Sequence, residues 1–395
     1  MKVAFVTRRV LPEGGVSLSA FRLAAALADL GHEAEVLYQE GQPPPDFAAL
    51  GRHLRPDCEE GVSPARLGRA LSAIEPDVVL VGSGRIEDLR TAAAVAPTAL
   101  HAHMHNGVCA DNSRYWGRLQ RPCGVRAGWH CALLRPALGC AGIERSLNPS
   151  HVVTQQRIRK SLVSEVGVVC VSTDQAELFA SHGIPPGQIA VLPNLGIAAT
   201  PAKLAAVSAA TPDQWRDATA FIGRLSKAKG GQLLVRLWEE LPADQRFRVF
   251  GEGYLAGRLA ELPDGVVCGH VDQDAVMGVL MWARAAVFPS LWPEPGGIVG
   301  VDAQLTGVPL AAFDVGAARH WPAAQRFSRG DVAAMAAWLA EQEPRRHPRD
   351  PDEVAEAQRH YRLRIARRGA EALAGFAASG SFASFGASPA EELIA

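Results

Sequence analysis

Two short segments carry cations and carboxylates at spacings suited to a phosphorylated ligand. In Phe221-Ile222-Gly223-Arg224-Leu225-Ser226-Lys227-Ala228-Lys229-Gly230 an apolar run ends, and two cations five residues apart, Arg224 and Lys229, bracket the turn that follows. A guanidinium offers a planar, two-pronged donor to phosphate oxygens and an ammonium a compact point charge, a complementary pair for a diphosphate. Taken alone, the pair fits a solvated basic turn equally well. The second segment runs from Phe288-Pro289-Ser290-Leu291-Trp292-Pro293 into Glu294-Pro295-Gly296-Gly297-Ile298, where two glycines bare the backbone amides ahead of a helical pattern. Such amides at a helix N-terminus, worth about half a positive charge, form an anion site. Glu294 stands beside them, and Asp302, eight residues on, falls on the helix face of that first turn. A simple turn has no use for a carboxylate next to its amides. One carboxylate is expected to face a sugar and the other ribose hydroxyls.

Three histidines and several glycines stand out elsewhere. If Leu100 to Asn106 is a strand, His101, His103 and His105 point to one side. That pattern superficially resembles a metal site, but a strand spreads the three over about 13 Å, and no acidic residue lies within the run. Gly14-Gly15 after the first apolar run would let a loop approach a ligand closely, or would make an ordinary turn. Gly251-Glu252-Gly253 has dinucleotide-type spacing except that the third glycine, Gly257, comes one residue late.

Positioning these groups requires βα units, and the chain has that rhythm: short β-branched runs alternate with Ala/Leu-rich amphipathic stretches, the pattern of parallel sheets in an α/β fold. Strands are predicted at Val3 to Thr7, Ala34 to Tyr38, Asp77 to Val81, Thr98 to Met104, Gly167 to Val171 and Ile189 to Leu192, with a helix over Ser17 to Leu30. A second series is predicted at Ala218 to Ile222, Phe247 to Phe250, Val266 to Cys268, Ala285 to Phe288 and Leu310 to Phe313. Between the two series the Ala-rich stretch to Ala210 lacks a strand pattern and reads as a linker. Four parts follow: residues 1–200, residues 211–350, a C-terminal helix over 351–375 packing back across both domains, and a flexible tail over 376–395.

Bulk properties narrow the partners. Lys+Arg 40 against Asp+Glu 41 gives a formal net charge of -1, so no global field draws nucleic acid or an anionic membrane. No apolar span approaches the roughly 20 residues of a membrane helix, and the N-terminal apolar run is too short for a signal-peptide core; a cytoplasmic protein without an integral membrane segment is expected. Seven cysteines do not imply disulfides in a chain with ample core. Four of them, Cys109, Cys123, Cys131 and Cys140, lie at intervals of 13, 7 and 8 residues, without the CxxC pair typical of zinc. Arg114, Arg118, Arg121 and Arg126 accompany them, as an anionic-acceptor site or as a solvated basic loop. No exposed heptad declares an oligomer.

Gly14-Gly15, Pro193-Asn194, Gly223-Arg224 with Lys229-Gly230, and Glu294 through Asp302 followed by Gly307-Val308-Pro309 occur in one order. In that order the sequence resembles retaining glycosyltransferase family 4, with the GT-B fold of two Rossmann-like domains facing a cleft. The resemblance implies a nucleotide-sugar donor, with UDP the commonest base, a small-molecule or glycan acceptor bound by the first domain, and no metal cofactor. It implies that Arg224 and Lys229 neutralise the donor diphosphate and that Glu294 holds the transferred sugar. The amides of Gly296, Gly297 and Ile298 would hold phosphate and sugar oxygens, with Gly14, Gly15, Asn194 and Gly223 lining the donor site. Asp302 would bind the ribose, in a place where the family usually has glutamate. The active-site histidine falls at the strand's end, His105 in preference to His103, as a hydrogen-bond partner of a sugar hydroxyl. Cys-rich insertions after that histidine occur in some relatives. The implied mechanism is front-face displacement; a double displacement would need a carboxylate nucleophile, and Glu294 is the candidate. Two other classes share such a site: a nucleotide-sugar epimerase, which converts its donor alone, and a non-catalytic nucleotide-sugar binder.

Overall fold

The computed structural model describes residues 1–10, 15–59, 61–140 and 150–383. Two all-parallel sheets organise it. From edge to edge the first holds Ile189–Val191, Gly167–Cys170, Thr98–Ala102, Val78–Val81, Lys2–Val6, Glu33–Tyr38 and Gly51–His53. The second holds Val267–Gly269, Arg246–Phe250, Ala218–Ile222, Ala285–Phe288, Leu310–Phe313 and Ala324–Phe327. Val78–Val81 and Gly167–Cys170 are buried at every residue, as strands covered by helices on both faces must be. Registers follow from the apolar runs: Phe5 lies between Val36 and Leu80, and Phe221 between Val249 and Val287.

Three departures from the sequence-based expectation matter for the site. The histidine strand stops at Ala102, because its neighbour ends at Cys170 opposite it and offers no further ladder. The stretch read as a linker contains a helix, Pro201–Ala210, started by the Thr200 hydroxyl accepting from the Lys203 amide at 3.2 Å; alanine is the best helix former, and an N-cap suffices to start it. The helix expected to end at 375 runs from Pro351 to Ser379, with Gly380 in the left-handed cap position. Phe376 and Phe382 are buried and stack with centroids 4.3 Å apart. A flexible tail beginning at 376 is therefore corrected for residues 376–383; 384–395 lie outside the described residues.

The long helix joins the two halves. Val354 packs into the apolar core of the second sheet, whereas Tyr361, Ile365, Leu373 and Phe376 pack with Val3, Phe5 and Phe21 beneath the first. With the buried Gln358 and Gly369 between them, these residues recur at intervals of three and four, one stripe of the helix. Traffic runs the other way at Tyr115, which belongs to the first half by sequence and is buried with Phe221, Leu225 and Leu291 of the second.

Candidate active site

The two loops singled out in the sequence follow neighbouring strands, Ala218–Ile222 and Ala285–Phe288, and the backbone knits them together. The Ala228 carbonyl accepts from the Leu291 amide at 2.8 Å and the Trp292 amide at 3.2 Å. Gly230 makes this approach possible: its φ is +77°, and a Cβ there would lie 2.0 Å from the Pro289 carbonyl oxygen. The result is direct contact between the Lys229 ammonium and Glu294 Oε1, both side chains largely buried. The ammonium also lies 5.2 Å from the centroid of the Phe288 ring. Glu294 Oε2 is buried without a hydrogen-bond partner, an acceptor aimed at nothing the described residues supply.

Arg224 stands at the mouth of the first loop, exposed, with no ion pair or side-chain hydrogen bond among the described residues. Its turn is braced from behind. The Gly223 amide donates to Phe250 O at 2.9 Å and the Leu225 amide to Glu252 O at 2.7 Å, and a Cβ on Gly251 would lie 2.0 Å from Gly223 O. Gly251-Glu252-Gly253 thus props the Arg224 turn in place of forming a dinucleotide fingerprint. At the second loop, Gly297 takes φ +52° as N-cap of the helix Ile298–Leu305. Gly296 abuts Asn194, whose Nδ2 would lie 2.2 Å from an added Cβ. Gly316 leaves room for the backbone of Pro293 and Glu294, and the Ala317 amide donates to Glu294 O at 2.9 Å.

His105 crosses from the first half to this loop. Its Nε2 lies 2.9 Å from the Pro293 carbonyl oxygen; a carbonyl only accepts, so Nε2 carries the proton. Burial holds the imidazole down to about 4, so it is neutral near pH 7. Nδ1 is then a bare acceptor, buried and without a partner. His103 does not reach the loop; its ring centroid lies 4.1 Å from that of His101, the planes tilted by 54°, and burial depresses both. Among the described residues no three His, Cys, Asp or Glu side chains gather as a metal site.

Asp302 is where the structure departs from expectation. It is 2% exposed, and its Oδ1 accepts from the Ile197 amide at 2.7 Å, so the side chain faces the linker between the halves and not open cleft. Burial pushes its carboxyl up to about 6, with the Arg22 guanidinium pulling back. Arg22, on the helix Gly15–Ala28, donates to Leu195 O and Gln273 Oε1, each at 3.0 Å. Asn194 is tied in the same place: Oδ1 accepts from the Ser19 hydroxyl at 3.1 Å and its carbonyl from the Tyr361 hydroxyl at 3.0 Å. The physical reason is the close passage of the linker: the Ile197 amide is within hydrogen-bond distance, and Gly196 has no Cβ, which would lie 2.4 Å from Asp302 Oδ1. Ser19, Arg22 and Tyr361 were not anticipated; one arginine inside an otherwise uncharged helix was the available signal. Gly15 opens that helix, and Gly14 lies outside the described residues.

An apolar cavity lies between the halves, walled by Ser172, Pro193, Gly296, Val301, Trp321 and Tyr361. It adjoins the amide-bearing loop but includes none of Arg224, Lys229, Glu294 and His105.

The chain matches two family descriptions, one over each half: "Glycosyltransferase Family 4" over residues 13–195 and "Glycosyl transferases group 1" over residues 216–341. Similar solved structures span nearly the whole chain. The Anabaena protein HepE, solved with UDP and glucose, is 15% identical over 95% of this chain and 100% of its own, with a TM-score of 0.62. Sucrose-phosphate synthase from Thermosynechococcus elongatus is 16% identical over 96% of this chain and 100% of its own, at 0.64. AviGT4, a glycosyltransferase involved in avilamycin A biosynthesis, is 18% identical over 97% and 100%, at 0.58. No curated protein matches the sequence. At such identities the structural likeness establishes the fold, which is GT-B.

Proposed function

Since the chain belongs to glycosyltransferase family 4, the group 1 glycosyl transferases, we propose that it moves a sugar from a nucleoside diphosphate donor, a UDP-sugar, to an acceptor with retention at the anomeric carbon. The observation that carries this reading is the meeting of Lys229 with Glu294, a carboxylate whose second oxygen is buried and unpartnered. HepE, a protein of similar fold, is described in complex with UDP and glucose, which supports UDP as the base.

In this reading the donor diphosphate lies between Arg224 and Lys229 and against the amides of Gly296, Gly297 and Ile298. Gly223 and Asn194 complete its surroundings. Glu294 accepts from hydroxyls of the sugar, and His105 Nδ1 accepts from another. The bond from the anomeric carbon to the diphosphate oxygen breaks while the acceptor oxygen bonds the same carbon on the same face. The acceptor's proton passes to the departing diphosphate oxygen. Charge on that oxygen is met by two fixed cations and oriented amides, so catalysis is mainly electrostatic preorganisation. His105 is neutral and positions; it does not act as the base. Asp302 serves by holding the linker, and through it the distance between the halves.

The test is thermal unfolding with UDP, GDP, ADP and TDP and their sugars, with and without EDTA. A ligand at 100 times its dissociation constant adds about 2.7 kcal/mol of stability. Stabilisation by uridine nucleotides irrespective of EDTA supports the reading. Stabilisation by another base reassigns the donor, stabilisation lost with EDTA brings in a divalent cation, and no stabilisation by any nucleotide refutes the site. Conversion of the donor without acceptor would favour an epimerase.

A further inference from the structure

Residues 109–140 form a lobe beside the cleft, and its two sides differ. The inner side is anchored: Tyr115 is buried in the core of the second half, and Gln120 pairs with Gln232 at 3.0 Å. The outer side is built on the helix Cys131–Leu138, which buries none of its residues. Trp129, Leu133 and Ala137 recur every four residues, and the Ala132 amide donating to Trp129 O at 3.0 Å extends the helical turn to include the tryptophan. The three therefore share one face. Trp129 is 66% and Leu133 77% exposed. Leu119, 48% exposed, stands beside them, because the Gly117 and Arg118 amides donate to Gly139 O and Leu138 O.

Among the described residues, five large apolar side chains are exposed, and three of them are in this lobe. Charge is concentrated there too. Between Asp111 and Glu144 there is no acidic residue, but there are five arginines, in a chain of net charge -1. Arg135 is paired with Asp111 and Arg114 is buried, which leaves Arg118, Arg121 and Arg126 as the exposed arginines of the lobe, the Arg126 guanidinium lying toward Gly183. Arg118 lies along the helix end, donating to Ala137 O at 2.9 Å, and Arg121 stacks 5.0 Å over Trp116. An exposed apolar stripe of this kind needs a cover. A cover that also answers three guanidiniums without an acidic partner among the described residues carries negative charge on an apolar body.

We propose that this face docks the protein peripherally on an anionic lipid bilayer, with Trp129, Leu133 and Leu119 entering the headgroup–acyl boundary and Arg118, Arg121 and Arg126 meeting lipid phosphates. Interfacial helices bind in this manner, through buried apolar area and attraction to anionic lipid together. His105 directly precedes the lobe, so docking would hold the cleft at the membrane surface. The inference concerns binding only and is independent of the donor assignment.

The experiment is co-sedimentation of the whole protein with vesicles of equal parts phosphatidylglycerol and phosphatidylcholine, against vesicles of phosphatidylcholine alone. Sedimentation with the anionic vesicles, weakened by salt, is expected. Trp129→Ser with Leu133→Ser should bind at least about tenfold more weakly, and each of Arg118→Gln, Arg121→Gln and Arg126→Gln about fivefold more weakly. All variants should keep the wild-type thermal midpoint and nucleotide-induced shift, which separates lost docking from lost folding. Failure of the wild type to sediment, equal sedimentation with both vesicle types, or unchanged binding of the variants overturns the proposal. So does a stable dimer in sedimentation velocity that Trp129→Ser abolishes, since the cover would then be a second copy.

Discussion

Lys229 and Glu294 are 65 residues apart in sequence, yet their side chains close on each other where two neighbouring strands of one sheet end. Ala228 O, receiving the Leu291 and Trp292 amides, brings the loops together. Glu294 thus occupies the ammonium that, in the proposed donor complex, a diphosphate would engage in its place.

Glu294→Gln removes the resident anion and leaves Lys229 free. UDP should then bind about tenfold more tightly, a gain of about 1.4 kcal/mol, while sugar transfer falls at least about a hundredfold because the sugar hydroxyls lose the carboxylate charge and one of its two acceptor oxygens. Calorimetric titration with UDP checks the first part; weaker UDP binding would show that the two anions do not compete for Lys229.

Arg224→Ala and Lys229→Ala should each lower kcat/KM by several kcal/mol, on the order of a hundredfold to a thousandfold. Their effects on stability should differ. Arg224 is exposed and has no side-chain partner among the described residues, so its loss should leave the thermal midpoint unchanged. Removing Lys229 strands a largely buried carboxylate, at a cost of about 3 kcal/mol. Near-normal turnover in both variants refutes the assigned roles.

Gly230→Ala should unfold the site. The added carbon meets Pro289 O at 2.0 Å from a backbone at φ +77°, so the two loops must separate, with a loss exceeding about 2 kcal/mol and of nucleotide-induced stabilisation. Gly257→Ala is the control, since nothing lies within 4 Å of its added carbon. Equal midpoints for the two variants would refute the loop-contact argument.

Acid should destabilise the fold before carboxylates titrate fully. Burial holds His101, His105 and His182 down to about 4, against about 6.5 in the unfolded chain. The unfolded chain therefore takes the protons first. The stability these neutral rings contribute is complete above about pH 6.5 and is lost as pH falls toward about 4, by at most about 1.4 kcal/mol per unit for each. Asp302, raised to about 6, works in the opposite sense, since the folded state gains its proton first. With four depressed histidines, His103 among them, against two raised carboxyls, Asp88 and Asp302, urea midpoints should drop from pH 7 to pH 5, and more steeply in Asp302→Asn. A midpoint that rises on acidification would contradict the burial of these histidines.

Much of the fold was legible because buried parallel strands are continuous apolar runs, and Val78–Val81 or Ala285–Phe288 can be read without knowing their neighbours. The two charged loops could be located for a similar reason: glycines, cations and a carboxylate next to a strand end stand out locally, and the structure brings them together. What sequence did not disclose depends on distant partners. The histidine strand stops at Ala102 because its neighbour, ending at Cys170, has nothing more to pair. The helix Pro201–Ala210 carries too little apolar contrast between its faces to announce itself. Asp302 sits on the expected helix, but its hydrogen bond goes to Ile197, 105 residues earlier, and no local pattern predicts that.

The long helix Pro351–Ser379 also sets an order of events in biosynthesis. Tyr361, whose hydroxyl reaches Asn194 O, follows it by 167 residues, and Ile365, Leu373 and Phe376 complete the core around Phe5 and Phe21. The first half emerges from the ribosome with that core open and must wait, through synthesis of the entire second half, for its missing wall. Until then its apolar floor is exposed to chaperones and to other nascent chains, so a ribosome stalled before residue 361 would release a substrate for quality control and not a folded domain.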